Sequence, residues 1–248
     1  MIEVVLANLT EIPIPDAALW ALLDSDEAAR AARFHFERDR MRFVRRRSFR
    51  RIWIGARLGI EPRALRFEAG QHGKPSVAGL PAGWAFNCSS SADQALLAWS
   101  TEGPVGVDLE WHRPLEPDLA FVAERFAPAE RAAIREASGP GKSRYFFDCW
   151  ARKEAFVKAV GIGLSLDLDT FEVPLAPGVQ SVRVRSTSSL TGACSCGTSA
   201  AGRSSSTRLR SISLSALSLA CGMTRPYSGN VPSISLDVRV TDPTQKRI

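Results

Sequence analysis

An α+β protein is predicted by three stretches of this sequence, two with helical spacing and one with strand alternation. In "RFHFERDRMRFVRRRSFRRIWIGARLG", Arg33 to Gly59, Phe43, Val44, Phe49, Ile52 and Trp53 are among the apolar positions and arginines fill most of the rest. That pattern predicts one long helix with a basic side. In "YFFDCWARKEAFVKAVGIGLSLDLDTFEV", Tyr145 to Val173, the residues Phe146, Phe147, Trp150, Phe156, Val157 and Val160 recur at helical spacing. A helix over 146–160, stopped by Gly161 and Gly163, follows. In "GVDLEWHRP", Gly106 to Pro114, apolar and acidic residues alternate as they do on a strand.

Taken along the chain, each element has its own warrant. The arginine helix comes first; Arg42, Arg47, Arg50 and Arg51 are spaced so that several project from one side. Gly73 and Pro75 make a turn. "AFNCSSSADQALLAWS" is expected to supply one strand, and "STEGPVG" reads as a junction. On the strand that follows, Val107 and Leu109 share the core face, while Asp108 and Glu110 sit side by side on the other, where solvent or a cation must offset their repulsion. "GPGKS", Gly139 to Ser143, resembles the end of a phosphate-binding loop, but Glu136 stands where its first glycine is needed and no strand precedes it. It reads as a loop between helices. In the helix beyond, Trp150, Glu154 and Lys158 form one i, i+4 line. An edge strand with a wet face and an ordinary Glu-Lys helix pair are the plain readings of these two segments taken singly.

Together the segments resemble a known family. "GVDLE" and, some forty residues later, "WARKEAFVKAVGIGL" match the motifs of the 4'-phosphopantetheinyl transferases, in their larger, monomeric, surfactin-synthetase-activating branch; "GKP" at Gly73 to Pro75 and "FNCSSSAD" at Phe86 to Asp93 are two weaker matches upstream. The resemblance runs from about Arg33 to about Pro174. It implies transfer of the phosphopantetheine arm of coenzyme A to a serine of an acyl or peptidyl carrier protein, with release of adenosine 3',5'-bisphosphate.

Phosphoryl transfer of this kind depends on charge neutralisation and alignment. The resemblance assigns Mg²⁺ to Asp108, Glu110 and Glu154, a hard cation on oxygen ligands. It makes Glu154 the base for the carrier serine, directly or through water, and sets Lys158 on the pyrophosphate and the leaving phosphate. Trp150 buttresses the helix. Coenzyme-binding arginines belong in the 33–59 helix, with Arg42 and Arg50 or Arg51 as candidates, because the planar guanidinium pairs with phosphate oxygens. A solvated basic face is the alternative for each. Lys74 and Pro75 belong to the loop against the adenine and its phosphate, with a plain hairpin as rival. Ser89 and Ser90 complete the coenzyme set. Ser90 stands where the family usually has histidine, so it can donate a hydrogen bond to phosphate but no positive charge.

The family's architecture is two similar α/β halves, each a small antiparallel sheet with a helix, meeting at a pseudo-twofold cleft. Here these would be residues 1–102, with the arginine helix, and 103–178, with the metal and catalytic motifs. Residues 179–248 form an aberrant Ser/Arg-rich tail, expected to be irregular. No acid occurs between Glu172 and Asp237, and residues 173–248 hold 9 Lys+Arg against 2 Asp+Glu, whereas residues 1–172 hold 23 against 24. The chain's net +6 is therefore a property of the tail. Three accounts compete: a disordered basic tail, a divergent domain half and a shifted reading frame. The last is favoured because Gly222-Met223-Thr224 requires GGN-ATG-ACN, which in one alternative frame can read His-Asp or Tyr-Asp, as an ordinary enzyme segment would. An inactive frameshifted product of such a gene is the first alternative function. A nucleic-acid-binding protein using Arg42 to Arg51 and the tail is the second.

At 248 residues and 45% hydrophobic, the chain suffices for one large or two small domains. No run approaches the roughly 18 apolar residues of a membrane span, and "MIEVVLANLTEIP" carries acids where a signal peptide carries lysine or arginine, so a cytoplasmic, monomeric enzyme with no membrane or nucleic-acid partner is expected. Of five cysteines, Cys88 and Cys149 read as small buried hydrophobes, and Cys194-x-Cys196 lacks a second ligand pair. His35, His72 and His112 form no recognisable cluster.

Overall fold

The computed structural model describes residues 2–70, 72–161, 163 and 166–173, together with the backbone of short strand segments at 179–181, 183–184, 195–198, 218–219 and 238–240. In chain order the elements are β1 (Ile2–Asn8), α1 (Asp16–Ala21), α2 (Ser25–Ala32), α3 (Glu37–Leu58), β2 (Phe67–Ala69), β3 (Pro75–Val77), β4 (Ala85–Ser91), β5 (Gln94–Ser100), β6 (Val107–Asp108), α4 (Pro117–Ala123), α5 (Pro128–Glu136), α6 (Pro140–Val160) and β7 (Phe171–Glu172). The mixture of helices and small, mainly antiparallel sheets is that of an α+β protein.

In the N-terminal part, β1 pairs antiparallel with β5, and β5 with β4, through seven residues each. One face of this sheet receives α3, burying Val5, Leu9, Phe49, Trp53, Ile54, Phe86, Leu97 and Trp99. The apolar positions of the arginine helix are thus spent on this core. Its end is set by Gly59, whose φ of 65° caps the last turn in the left-handed region. On the other side of α3, α2 begins with a capping box in which Asp24 accepts from the Glu27 amide and Glu27 reaches back to the Asp24 amide. The same two carboxylates then receive arginines from α3, so one helix start also fixes the packing of two helices.

The C-terminal part is built on α6. Phe146, Phe147, Phe156 and Val157 pack with Phe126, Ile134 and Phe171 into a separate core. Burying a side chain of this size stabilises by about 1.5–3 kcal/mol. A buried ion pair sits inside this apolar cluster: Lys153, fully buried, donates to the carbonyls of Leu168 and Phe171, both at 2.7 Å, and to Glu130 Oε2 at 2.8 Å. Glu130 in turn accepts from the amides of Ala127 and Val173. The motif lysine therefore fastens α5 and the chain entering β7 to α6.

Hydrogen bonds from β4 and from Lys74 join the parts. Asn87 Oδ1 on β4 accepts from the Val107 amide of β6 at 2.8 Å, and Lys74 Nζ donates to the carbonyls of Val105 and Ala159, at 3.0 and 3.2 Å. Gly106 lies so close to α6 that a Cβ there would stand 2.1 Å from the Ala155 carbonyl oxygen.

Three expectations need correction. "AFNCSSSADQALLAWS" holds not one strand but two, β4 and β5. The strand expected over 106–114 is only Val107–Asp108, so Glu110 is placed by irregular chain and not by strand alternation. The "GPGKS" stretch is not simply a loop: Gly139 precedes the helix with φ of 54°, and Pro140 opens α6, its fixed φ and missing amide suiting the first turn. Helix α6 consequently starts six residues before Phe146. Most of residues 179–248 lie outside the described residues, and with them the expectation of an irregular tail; of the segments that are described there, 238–240 pairs parallel with β1 and 218–219 antiparallel with β6.

Candidate active site

Helix α6, packed on β6 through Gly106, brings the second motif against the first. Asp108 is 4% exposed and its Oδ1 accepts from Lys158 Nζ at 2.5 Å and from Ser89 Oγ at 2.8 Å. Lys158 Nζ also reaches Ser89 Oγ, at 3.3 Å. Glu110 accepts from the Trp150 indole at 2.9 Å, so Trp150, grouped with the Phe126 and Phe146 rings, also holds a site carboxylate. Burial raises the pKa of Glu110, with the charge of Asp108 adding to the effect. Burial also raises that of Glu154, opposed by Lys158 and reinforced by Asp108 and Glu110. The three carboxylates thus feel one another across a common space.

Among the described residues, no three His, Cys, Asp or Glu side chains stand close enough to hold a metal ion as placed. The chemistry of the donors nonetheless fits a cation, because Asp108 Oδ2 and Glu154 Oε1 are both buried oxygens with no hydrogen-bond donor. A buried carboxylate oxygen left without a donor or counter-charge is costly, and a hard cation on oxygen would remove that cost.

On the far side of Ser89 lies a cavity of about 260 Å³ lined by Arg30, Arg46, Arg47, Arg50, Ser89 and Ser90, with Phe34 and Phe43. Arg46 Nη1 donates to Ser90 Oγ at 2.8 Å. Its pKa is lowered first by burial and then by the neighbouring charges of Arg47, Arg30 and Arg42. Arg50, driven down to about 10 mainly by burial, pairs with Glu27 at 2.8 Å and lies 3.8 Å over the Phe67 ring. So much desolvated positive charge around one space favours an anionic occupant.

The remaining candidates are placed differently. Arg42 makes a two-pronged contact with Asp93, at 2.7 and 2.9 Å, on the β4–β5 turn, outside the cavity. Arg51 is fully buried and its guanidinium is consumed by Asp24, Glu27 and the carbonyls of Pro62 and Leu65; it fixes α2 to α3 and presents nothing to the cavity. Lys74 points into the seam between the two parts, where burial lowers its pKa to about 8. Another cavity, also about 260 Å³, runs along the Gly73-Lys74-Pro75 loop to Glu154 and Lys158 and shares Cys88 with the arginine cavity. Cys149 is buried as expected, whereas Cys88 is half-buried and forms this common wall. The cavity arginines outside the coenzyme-binding candidates are Arg30, Arg46 and Arg47, of which Arg47 was already placed on the basic side of the helix. Arg46 had a signal: it stands four residues after Arg42 and four before Arg50, on one line of the helix. Arg30, on a different helix, had none.

Comparison with known proteins decides the family. The profile of the 4'-phosphopantetheinyl transferase superfamily matches residues 104–199. The 4'-phosphopantetheinyl transferase HetI of Nostoc sp. (strain PCC 7120) is 39% identical over 178 residues, covering 68% of this chain and 74% of the relative. This chain belongs to the 4'-phosphopantetheinyl transferase family. The 4'-phosphopantetheinyl transferase Sfp of Bacillus subtilis (strain 168) is 28% identical over 155 residues, 62% of this chain and 67% of its own. A Xenopus laevis relative, L-aminoadipate-semialdehyde dehydrogenase-phosphopantetheinyl transferase, is 29% identical over 177 residues, 66% and 59%. The phosphopantetheinyl transferase profile begins just before β6, so Asp108, Glu110, Glu154 and Lys158 all fall within it.

Proposed function

We propose that this chain transfers the 4'-phosphopantetheine arm of coenzyme A to a serine hydroxyl of an acyl or peptidyl carrier protein, with the arginine cavity and the adjoining carboxylate cluster as its two working regions. The observation that carries this reading is the sharing of Ser89 by the two: it lines the arginine cavity and hydrogen-bonds Asp108. A ligand held by its phosphates among Arg30, Arg46, Arg47 and Arg50 therefore has the carboxylates beside it. Asp108, Glu110 and Glu154 would hold Mg²⁺, which when bound supplies charge neutralisation at the pyrophosphate.

The chain's own residues account for the remaining steps. The serine oxygen forms a bond to the phosphorus that bears the pantetheine, and the bond from that phosphorus to the bridging oxygen breaks. Adenosine 3',5'-bisphosphate leaves with the electron pair. Glu154, kept by burial above the usual carboxylate pKa, accepts the serine proton directly or through one water, which an exposed glutamate would do less readily. Lys158 neutralises charge on the leaving phosphate. Arg46 and Ser90 act together where the family's usual histidine is missing, the guanidinium supplying the charge that the hydroxyl lacks. Arg42 orders the β4–β5 turn, and Lys74 braces the cleft between halves 1–102 and 103–178. We read the protein as a cytoplasmic monomer that uses neither nucleic acid nor membrane as partner; among the described residues no helix is long and apolar enough to cross a membrane.

The test is intact-mass spectrometry of apo acyl and peptidyl carrier proteins incubated with the full chain, coenzyme A and Mg²⁺. The expected result is a mass gain equal to the phosphopantetheine arm, lost in Glu154→Gln while coenzyme A still binds. No gain with any carrier would refute the activity.

A further inference from the structure

The contact between Lys158 and Asp108 places a cation and a carboxylate intended for another cation in the same bond. Asp108 is nearly fully buried, and one oxygen is held by Lys158 at 2.5 Å while the other has no donor. Glu154, one turn before Lys158 on α6, also has a buried oxygen without a donor. Glu110 is served by Trp150 and has Arg113 4.0 Å from its other oxygen. Three mutually repelling carboxylates at the end of a buried strand need positive charge even when no metal is present, since an unpaired buried charge is strongly destabilising. Lys158 is the side chain bonded to Asp108 that provides it.

We infer that Lys158 is the resident counter-ion of Asp108 in the metal-free protein, and that a divalent ion loads by exchange, releasing the ammonium from Asp108. This rests on the reading of Asp108, Glu110 and Glu154 as the metal-binding set. The inference also explains why those carboxylates are not gathered in metal-holding geometry: Asp108 is already satisfied on one side by an ammonium. A displaced ammonium needs a new anion, and Lys158 lines the cavity that runs along the Gly73-Lys74-Pro75 loop. A phosphate entering there takes it up. Metal loading and coenzyme loading therefore assist each other through one side chain, and each favours the other's binding by the same factor. The lysine keeps the site from filling with metal before the coenzyme arrives.

The experiment measures Mn²⁺ binding to the full chain by the loss of the free-ion electron paramagnetic resonance signal, without coenzyme A, in wild type, Lys158→Gln and Lys158→Arg. Removing the competing charge should tighten Mn²⁺ binding by about tenfold in Lys158→Gln, as expected for one neighbouring charge at a partly buried site. Lys158→Arg should keep the weak wild-type binding. Equal or weaker binding in Lys158→Gln overturns the inference. No Mn²⁺ binding by wild type even with coenzyme A present overturns instead the carboxylate assignment beneath it. If Lys158→Gln does not fold, the double variant Asp108→Asn/Lys158→Gln should, because the uncompensated charge is gone; failure of the double variant to recover counts against the lysine as Asp108's counter-ion.

Discussion

Gly106→Ala is a single added methyl group with a calculable consequence. The Cβ would lie 2.1 Å from the Ala155 carbonyl oxygen, 2.3 Å from the Ala159 amide nitrogen and 2.9 Å from the Ala159 Cα. All three atoms are helix backbone, so no side chain can swing away, and β6 and α6 must separate as bodies by about an ångström to reach ordinary contact. Overpacking against side chains typically costs about 1–3 kcal/mol. With backbone as the obstacle, the upper end of that range is expected. At a urea slope of roughly 2 kcal/mol per molar, about 3 kcal/mol moves the unfolding midpoint down by roughly 1.5 M. The functional loss should exceed the loss of fold, because Asp108 is two residues beyond Gly106 while Glu154 and Lys158 immediately precede Ala155 and Ala159 on the facing helix. Urea unfolding followed by near-ultraviolet circular dichroism gives the first quantity, and carrier mass gain under conditions where the variant remains folded gives the second. Gly141→Ala is the control: among the described residues, nothing beyond its own helical turn lies within 4 Å of its Cβ position, and removing a helical glycine should be neutral or stabilising by up to about 1 kcal/mol. A Gly106→Ala protein with a wild-type midpoint would refute the account of how α6 is seated on β6.

Three further outcomes are expected. Arg46→Ala should raise KM for coenzyme A by roughly ten- to a hundredfold, the worth of one charge-assisted hydrogen bond to phosphate, with KM for the carrier unchanged in steady-state assays; Arg51→Met should instead lower the urea midpoint without a selective coenzyme effect. Lys153→Met leaves Glu130 buried with its charge uncompensated and should cost about 3–5 kcal/mol, whereas Lys153→Met/Glu130→Gln should recover part of it; a full-sized loss in the double variant would count against the ion pair as the cause. Lys74 gives a pH dependence. Its folded pKa of about 8 lies below the ordinary 10.5, so between those values the unfolded chain binds the extra proton and this group's contribution to stability rises with pH. Cys88, pushed up to about 11 by burial, acts in the opposite sense. The difference between wild-type and Lys74→Met stability curves isolates the lysine and should climb across pH 8 to 10.5; a flat difference curve would remove Lys74 from the seam.

The sequence carried the helices well because their evidence is periodic and local. The apolar spacing of 33–59 and 146–160 survives in α3 and α6, with boundaries set by Gly59, Pro140 and Gly161. The acidic motif was legible as chemistry but not as geometry: alternation implied a strand through Glu110, and the strand ends at Asp108 because pairing ends there. The arginines show the limit most clearly. Residue spacing alone gives Arg46, Arg50 and Arg51 similar claims on a phosphate. Only the positions of Asp24 and Glu27, at another helix, assign Arg51 to the scaffold, and among the described residues Arg46 has no ion pair with a carboxylate. Lys74 and Lys153 stood out as motif residues, but their partners were invisible for the same reason, since what each bonds is distant in sequence or main-chain carbonyl. Ser90 was read as a loss of charge, and the structure sets the Arg46 guanidinium on its hydroxyl, a contact that sequence spacing does not announce.

The indole of Trp150 gives the protein an optical reporter at its own site. It is one of six tryptophans, packed against the Phe126 and Phe146 rings and bonded through its N–H to Glu110. Indole emission responds to charge at the end of that bond, so any event that draws the Glu110 carboxylate toward a cation must pass through the spectrum of Trp150. Binding at this centre can therefore be followed in real time without a label, and replacing Trp150 with phenylalanine identifies which part of the signal belongs to the site.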